Sequence, residues 1–204
     1  TAYRKVVKEA CVYASTGMES LTMVMFGDSI THGLITGTES ISYVDYANDM
    51  LRSNIINCGL GGSRMSQGQP DAIGLGSFAS LCENIASTDS TAWDALDTYV
   101  SSSHTDWASH VNALKTVDWS TVNAVGILYG ANDWHNNVPV GTEYNENPLN
   151  YDGACAYGLK LLLTKYPHLQ VIIFTPFFRA IDETANSDAN NGAGLNMDAY
   201  GESL

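Results

Sequence analysis

Basic residues are scarce. Nine lysines and arginines stand against 22 aspartates and glutamates, a formal net charge of −13 at pH 7. Such a chain repels a phosphate backbone and an anionic bilayer surface, which argues against nucleic acid and acidic membranes as partners. Long apolar runs are missing too: "LTMVMF" and "VIIF" are strand-sized and far short of a bilayer span. The four cysteines, Cys11, Cys58, Cys82 and Cys155, are scattered and form no C-x-x-C. That pattern argues against a zinc site or a compact disulfide framework, and for buried free thiols at most of the four positions. The first residues, "TAYRKVVKEACVYASTGMES", contain no apolar core of a signal peptide. Because the chain begins at Thr1, its native start is expected upstream or removed, and the compartment stays open. There is no internal repeat and no low-complexity linker.

What is present is globular. Hydrophobic residues make up 45% and charged residues 15% of 204 positions, enough chain for one domain with a substantial core. Four apolar, β-rich runs stand out at 21–26, 54–57, 123–130 and 169–176. Helical patterns separate them. "SYVDYANDMLRS" carries Tyr43, Ala47, Met50 and Leu51 at helical spacing, and "TAWDALDTYV", "DWASHVNALKTV" and "YDGACAYGLKLLLTKY" repeat the logic. Alternating strands and helices, with strands apolar throughout, predict a parallel α/β sheet covered on both faces. In such sheets ligands bind beyond the carboxyl ends of the strands, so the polar residues after each strand carry the interest.

Three of these tips are patterned. "FGDSITHG" puts Ser29 at a strand-to-helix turn, "NCGLGGSR" follows the second strand, and "GAND" follows the third. The second loop is not a dinucleotide fingerprint, because Arg64 occupies the place of the last glycine of G-x-G-x-x-G. Nor is the first a G-x-S-x-G elbow, since Thr31 stands where that motif needs glycine. Each of the other two has a bland alternative, because Gly and Asn simply suit turns.

Together, in order and each after its own strand, the three tips resemble the blocks of the SGNH hydrolases, the GDSL family of esterases and lipases. The resemblance covers residue 21 to the end, with Ile30 where the family usually has leucine. It implies a three-layer, flavodoxin-like parallel sheet over 21–204, preceded by a lead-in segment at 1–20. It also implies a catalytic set of Ser29 as nucleophile with Gly62 and Asn132 as oxyanion donors, the Ser29 backbone N–H being the third. The chemistry suits those residue types. An acyl-transfer oxyanion needs preorganised donors: glycine lets the backbone approach, and asparagine offers a neutral N–H where aspartate would repel the charge. The helix start behind Ser29 is expected to add a weaker positive field.

The family's fourth block, an Asp-x-x-His bearing the general base, has no counterpart in the 204 residues. The sequence reads as lacking the last strand of the sheet and the base that follows it. Among the histidines, His168 precedes strand four, at the wrong end of the sheet. His104 and His110 sit in a helical insertion, where Asp106 and His110 are spaced for a metal but read better as a solvated face. His32 lies in the turn after Ser29. His135 shares the rim with Asn132 and is the one serious substitute base. Trp134 and His135 are also expected to wall the substrate pocket, with core packing as the plain alternative for Trp134. No metal or cofactor is expected. The partner is a small-molecule or carbohydrate-linked carboxylic ester, with self-association through strand four as an exposed sheet edge. Two rivals stand beside the esterase: a catalytically incomplete carbohydrate-binding or structural module, and a flavodoxin-like nucleotide binder, which lacks a phosphate-cradling loop.

Overall fold

A computed structural model describes residues 21–35, 38–39, 41–68, 72–142, 145–176 and 189–204; the 1–20 lead-in lies outside them. The four expected strands form, as β1 (Thr22–Gly27), β2 (Asn54–Gly59), β3 (Ala124–Leu128) and β4 (Gln170–Phe174). They make one parallel sheet in the order β2-β1-β3-β4. This is the flavodoxin-like order as far as it runs. A separate ladder of two residues per strand pairs Leu34–Ile35 with Thr38–Glu39.

Helices connect the strands: α1 (Ser29–His32), α2 (Tyr43–Leu51), α3 (Phe78–Ala86), α4 (Asp94–Ser103), α5 (Ala108–Lys115), α6 (Ala131–His135), α7 (Tyr151–Lys165) and α8 (Met197–Glu202). Short 3-10 turns span Ala72–Gly76 and Thr105–Trp107. One face of the sheet, with Val24, Phe26, Cys58, Val125 and Ile127, packs into the main core under α3, α5 and α7. Phe26 meets Phe78 edge to face at 5.4 Å between ring centres. α3 and α7 approach closely at Gly158, where a Cβ would lie 2.7 Å from the Phe78 ring. α3 went unread in the sequence because the glycine-rich "AIGLG" before it masks its start; Ser77 caps it by accepting the Ser80 N–H.

The opposite face carries a smaller cluster among the described residues. Met23, Met25 and Ala124 pack there with Val44 of α2. The expected face of α2 is corrected: Val44 is the buried residue, whereas Tyr43 and Met50 are 36% and 50% exposed. The helix is wound as the pattern required but rotated, and Ser42 and Asp45 fix its start with a reciprocal capping box. On the same face, β4 leaves Ile172 and Phe174 exposed, and Ile173 is exposed on the other. β4 is an apolar edge among the described residues.

Candidate active site

The first tip is built by caps and glycines. Asp28 is buried and its carboxylate accepts the Ile30 N–H at 2.9 Å, starting α1 at Ser29. Gly33, at φ 92°, closes α1 after a single turn. With only four residues, α1 supplies the local N–H groups of its first turn rather than the helix field expected behind Ser29. The turn sits directly on the sheet because two strand ends are glycine. A Cβ at Gly27 would lie 2.0 Å from Thr31 Oγ1, and one at Gly59 would lie 2.3 Å from the His32 nitrogen. Asn57 ties the same turn to α2, donating to the Thr31 carbonyl at 2.8 Å and to Ser42 Oγ at 3.1 Å. Ser29 itself is half-buried.

The second tip crosses over the end of β1. The Leu60 N–H and the Ser63 hydroxyl both donate to the Gly27 carbonyl, at 2.8 and 3.3 Å. Gly62 has φ +81°, and a Cβ added there would meet nothing within 4 Å. Glycine is therefore required by its left-handed backbone and not by crowding.

The third tip reaches back to the second. Asn132, 8% exposed, donates from Nδ2 to the Ser63 carbonyl at 2.8 Å. Next to it, Asp133 is fully buried and accepts three bonds from the second loop: Met65 N–H at 2.9 Å, Ser66 N–H at 3.1 Å and Ser66 Oγ at 2.8 Å. Burial pushes its carboxyl above the ordinary aspartate value, against the lowering effect of those bonds and of the Arg64 charge. Sequence reading quoted Asp133 within "GAND" but gave it no role. Nothing in the sequence separates this acid from a solvated one in a turn; its burial and its bonds to the second loop appear only in the structure.

Ser29, Gly62 and Asn132 thus lie on one carboxyl edge, after the adjacent strands β1, β2 and β3, with the loops bonded to one another. The two expected pocket-wall residues part company. Trp134 is 4% exposed and belongs to the main core, and its indole donates to the Leu195 carbonyl at 3.1 Å. That corrects the pocket-wall reading of Trp134: its ring packs inward and holds the 189–196 segment. His135 ends α6 and is exposed.

Other histidines have structural partners. His32 Nδ1 lies 3.1 Å from the Gly61 N–H, and its ring centre is 4.2 Å from that of His110. His110 Nδ1 is 2.9 Å from the Asn57 carbonyl, and His168 lies beside the Trp119 carbonyl. Among the described residues no group of three or more His, Cys, Asp or Glu could hold a metal, and no helix is long and apolar enough to cross a membrane. Cys58, Cys82 and Cys155 are buried free thiols, as expected; Cys11 lies outside the described residues. Beside the second loop opens a cavity of ≈ 570 Å³ whose lining includes Arg64, Gln67, Glu83, Asn136 and Leu149.

No family model and no curated protein matches the chain. Solved structures do. One aligns with a TM-score of 0.63 at 22% identity, covering 91% of this chain and 72% of the other. A Lactobacillus plantarum protein aligns at 0.59 and 17% identity, covering 90% and 69%. A possible lipase from Chitinophaga pinensis aligns at 0.57 and 18% identity, covering 90% of this chain and 62% of its own length. The chain therefore shares the α/β fold of these proteins, one of them named as a possible lipase.

Proposed function

We propose that the chain is a serine ester hydrolase of the SGNH kind. It would cleave carboxylic esters, acyl or acetyl, on small molecules or carbohydrates. Ser29 Oγ attacks the ester carbonyl carbon, its proton passes to a base, and the leaving alcohol departs with a proton. Water then hydrolyses the acyl-serine and restores Ser29. The oxyanion is met by the Ser29 N–H, the Gly62 N–H and the Asn132 amide. The observation that carries the reading is the adjacency of the three tips: serine after the central strand, and a left-handed glycine and a buried asparagine after the strands on either side. The fold shared with a possible lipase supports it.

The base is the open position. His32 Nδ1 already faces the Gly61 N–H, and no Asp-x-x-His occurs in the 204 residues. The rival reading is a catalytically incomplete carbohydrate-binding or structural module. One experiment separates the two. The 204-residue chain and the longest natural form of the protein are given short-chain acyl and acetyl esters, each with and without Ser29→Ala. Mass spectrometry follows acylation of the Ser29 peptide. The hydrolase reading expects turnover and a Ser29 adduct in the longest form. The 204-residue chain alone should keep only the contribution of donors and binding, about 10³–10⁴ over water. Equal kcat for Ser29→Ala and wild type would end the nucleophile assignment.

A further inference from the structure

The Gly62 N–H can serve an oxyanion only if it points at one place. That direction is set one residue earlier, because the Gly61 carbonyl and the Gly62 N–H share a planar trans peptide and point in opposite senses. Whatever holds the Gly61 oxygen therefore aims the Gly62 hydrogen.

The structure supplies a holder from outside the three motif loops. Trp107, fully buried in the 3-10 turn before α5, donates its indole N–H to the Gly61 carbonyl at 3.1 Å. The indole is confined. His104 and Tyr99 lie against it with ring centres at 4.5 and 5.7 Å, and Gly76 makes room for it, since a Cβ there would lie 2.4 Å from Trp107 Cζ3. The other end of Gly61 is held as well. Its N–H donates to His32 Nδ1 at 3.1 Å, and that acceptor lone pair requires the tautomer protonated on Nε2. A Cβ on Gly61 would fall 2.3 Å from Leu34 Cδ1, so the residue is fixed sterically also. Gly62, next in the chain, has open space where its Cβ would be. One residue is clamped at nitrogen and oxygen, and the next faces the open site.

We propose that Trp107 and His32 are positioning residues that aim the Gly62 N–H. Trp107 acts on the carbonyl of the peptide that bears it, and His32 acts on the preceding N–H. The proposal rests on the reading of Gly62 as an oxyanion donor. Neither residue touches the substrate; both act through Gly61. The insertion between β2 and β3 thereby has a task at the site, although no motif marks it.

The test separates this claim from the hydrolase reading. In the wild-type protein labelled with ¹⁵N, the Gly61 amide and His32 Nδ1 should show a scalar coupling across their N–H···N bond, and the Trp107 indole hydrogen should resist exchange. The Gly62 amide resonance is then compared in Trp107→Phe, His32→Leu and His32→Asn, with the rest of the spectrum and the melting temperature reporting the fold. Asparagine places its Oδ1 near the position of Nδ1, so His32→Asn should keep the Gly62 resonance close to wild type while His32→Leu and Trp107→Phe displace it. In the form that turns over esters, the two displacing variants should lose kcat by roughly ten- to a hundredfold with KM within about twofold, and His32→Asn should recover most of it. Absence of the coupling, or a Gly62 resonance unmoved in a folded Trp107→Phe protein, overturns the proposal. So does a loss of activity carried by KM alone. If no form hydrolyses esters, the hydrolase reading falls while the resonances still decide whether Trp107 and His32 orient Gly62. Should Trp107→Phe fail to fold, the wild-type coupling and the leucine–asparagine pair carry the decision.

Discussion

Replacing Asp133 with alanine removes the acceptor that joins the third tip to the second. Three donors lose their partner at once: the backbone N–H groups of Met65 and Ser66, and the Ser66 hydroxyl. Met65, Ser66 and Asp133 are each fully buried, so water does not replace the carboxylate without local opening. An unsatisfied buried donor costs roughly 1–3 kcal/mol, and a hydroxyl can rotate to a new acceptor. The two N–H groups therefore set the scale, less the relief of no longer burying a carboxylate, leaving an expected loss of about 3 kcal/mol. Asp133→Asn keeps the shape but turns an NH₂ toward one of the donors, and should cost somewhat less. The pH dependence has a definite sign. Burial raises the carboxyl of Asp133 in the folded protein. Between the ordinary aspartate value and that raised value the native state binds more protons than the unfolded chain, so this group's contribution falls as pH rises. Wild type should lead Asp133→Asn most at low pH, below the unfolded value, and the lead should shrink as pH climbs through the folded one. Urea midpoints of both proteins, followed from about pH 3 to about pH 7, give the difference directly, other titrating groups being common to the two. A loss below about 1 kcal/mol for Asp133→Ala, or a lead that widens with pH, would refute the reasoning.

Gly62→Ala meets no atom but must hold φ +81°, so it should cost about 1–2 kcal/mol of stability while reducing ester turnover far more; thermal melting and kcat on one preparation check the split. Ile172→Lys and Phe174→Lys place charge on the exposed apolar edge of β4, and should reduce self-association seen in light scattering without lowering the melting temperature; unchanged scattering would remove the edge as its cause. Burial raises the thiols of Cys58, Cys82 and Cys155, the last to about 12, so none should react with iodoacetamide in the folded protein near neutral pH, and all should react in denaturant; fast labelling of the native chain would contradict their placement.

The sheet was legible because a parallel sheet covered on both faces leaves a direct trace: apolar runs at regular distance, separated by helical periods. All four strands lie where those runs are. The tips could be placed, because each follows its own apolar run, but residue type alone does not separate Ser29, Gly62 and Asn132 from turn residues; only their resemblance, taken together, to a known set of blocks singled them out. Orientation was harder to read. α2 shows a helical period, but Val44, not Tyr43 or Met50, faces the sheet, because the capping box at Ser42 and the bond from Asn57 to Ser42 fix its rotation. Trp134 looked like a pocket wall because it lies two residues after Asn132, but two steps of a helix turn a side chain by about 200°, and it points into the core. Trp107 and His32 left no trace as supports for the second loop, because their bonds to Gly61 span 46 and 29 residues.

The position of β1 has a consequence for how the molecule is made. It is the first of the four strands in sequence but lies inside the sheet, between β2 and β3. Thr22 pairs with Asn54, but its neighbour on the other side, reached through Thr22 and Asn123, is 101 residues away. During synthesis at about 5–20 residues per second, the β3 side of β1 waits roughly 5–20 s for its partner. Over that interval "TMVMFG" has one row of backbone hydrogen bonds unmade, and the third tip has yet to emerge. A nascent chain halted after β2 but before residue 124 thus presents a half-paired apolar strand, an aggregation-prone surface that chaperone binding or rapid elongation would shield. The arrangement that brings three tips together also makes their assembly a late event, ordered by the ribosome rather than by local propensity.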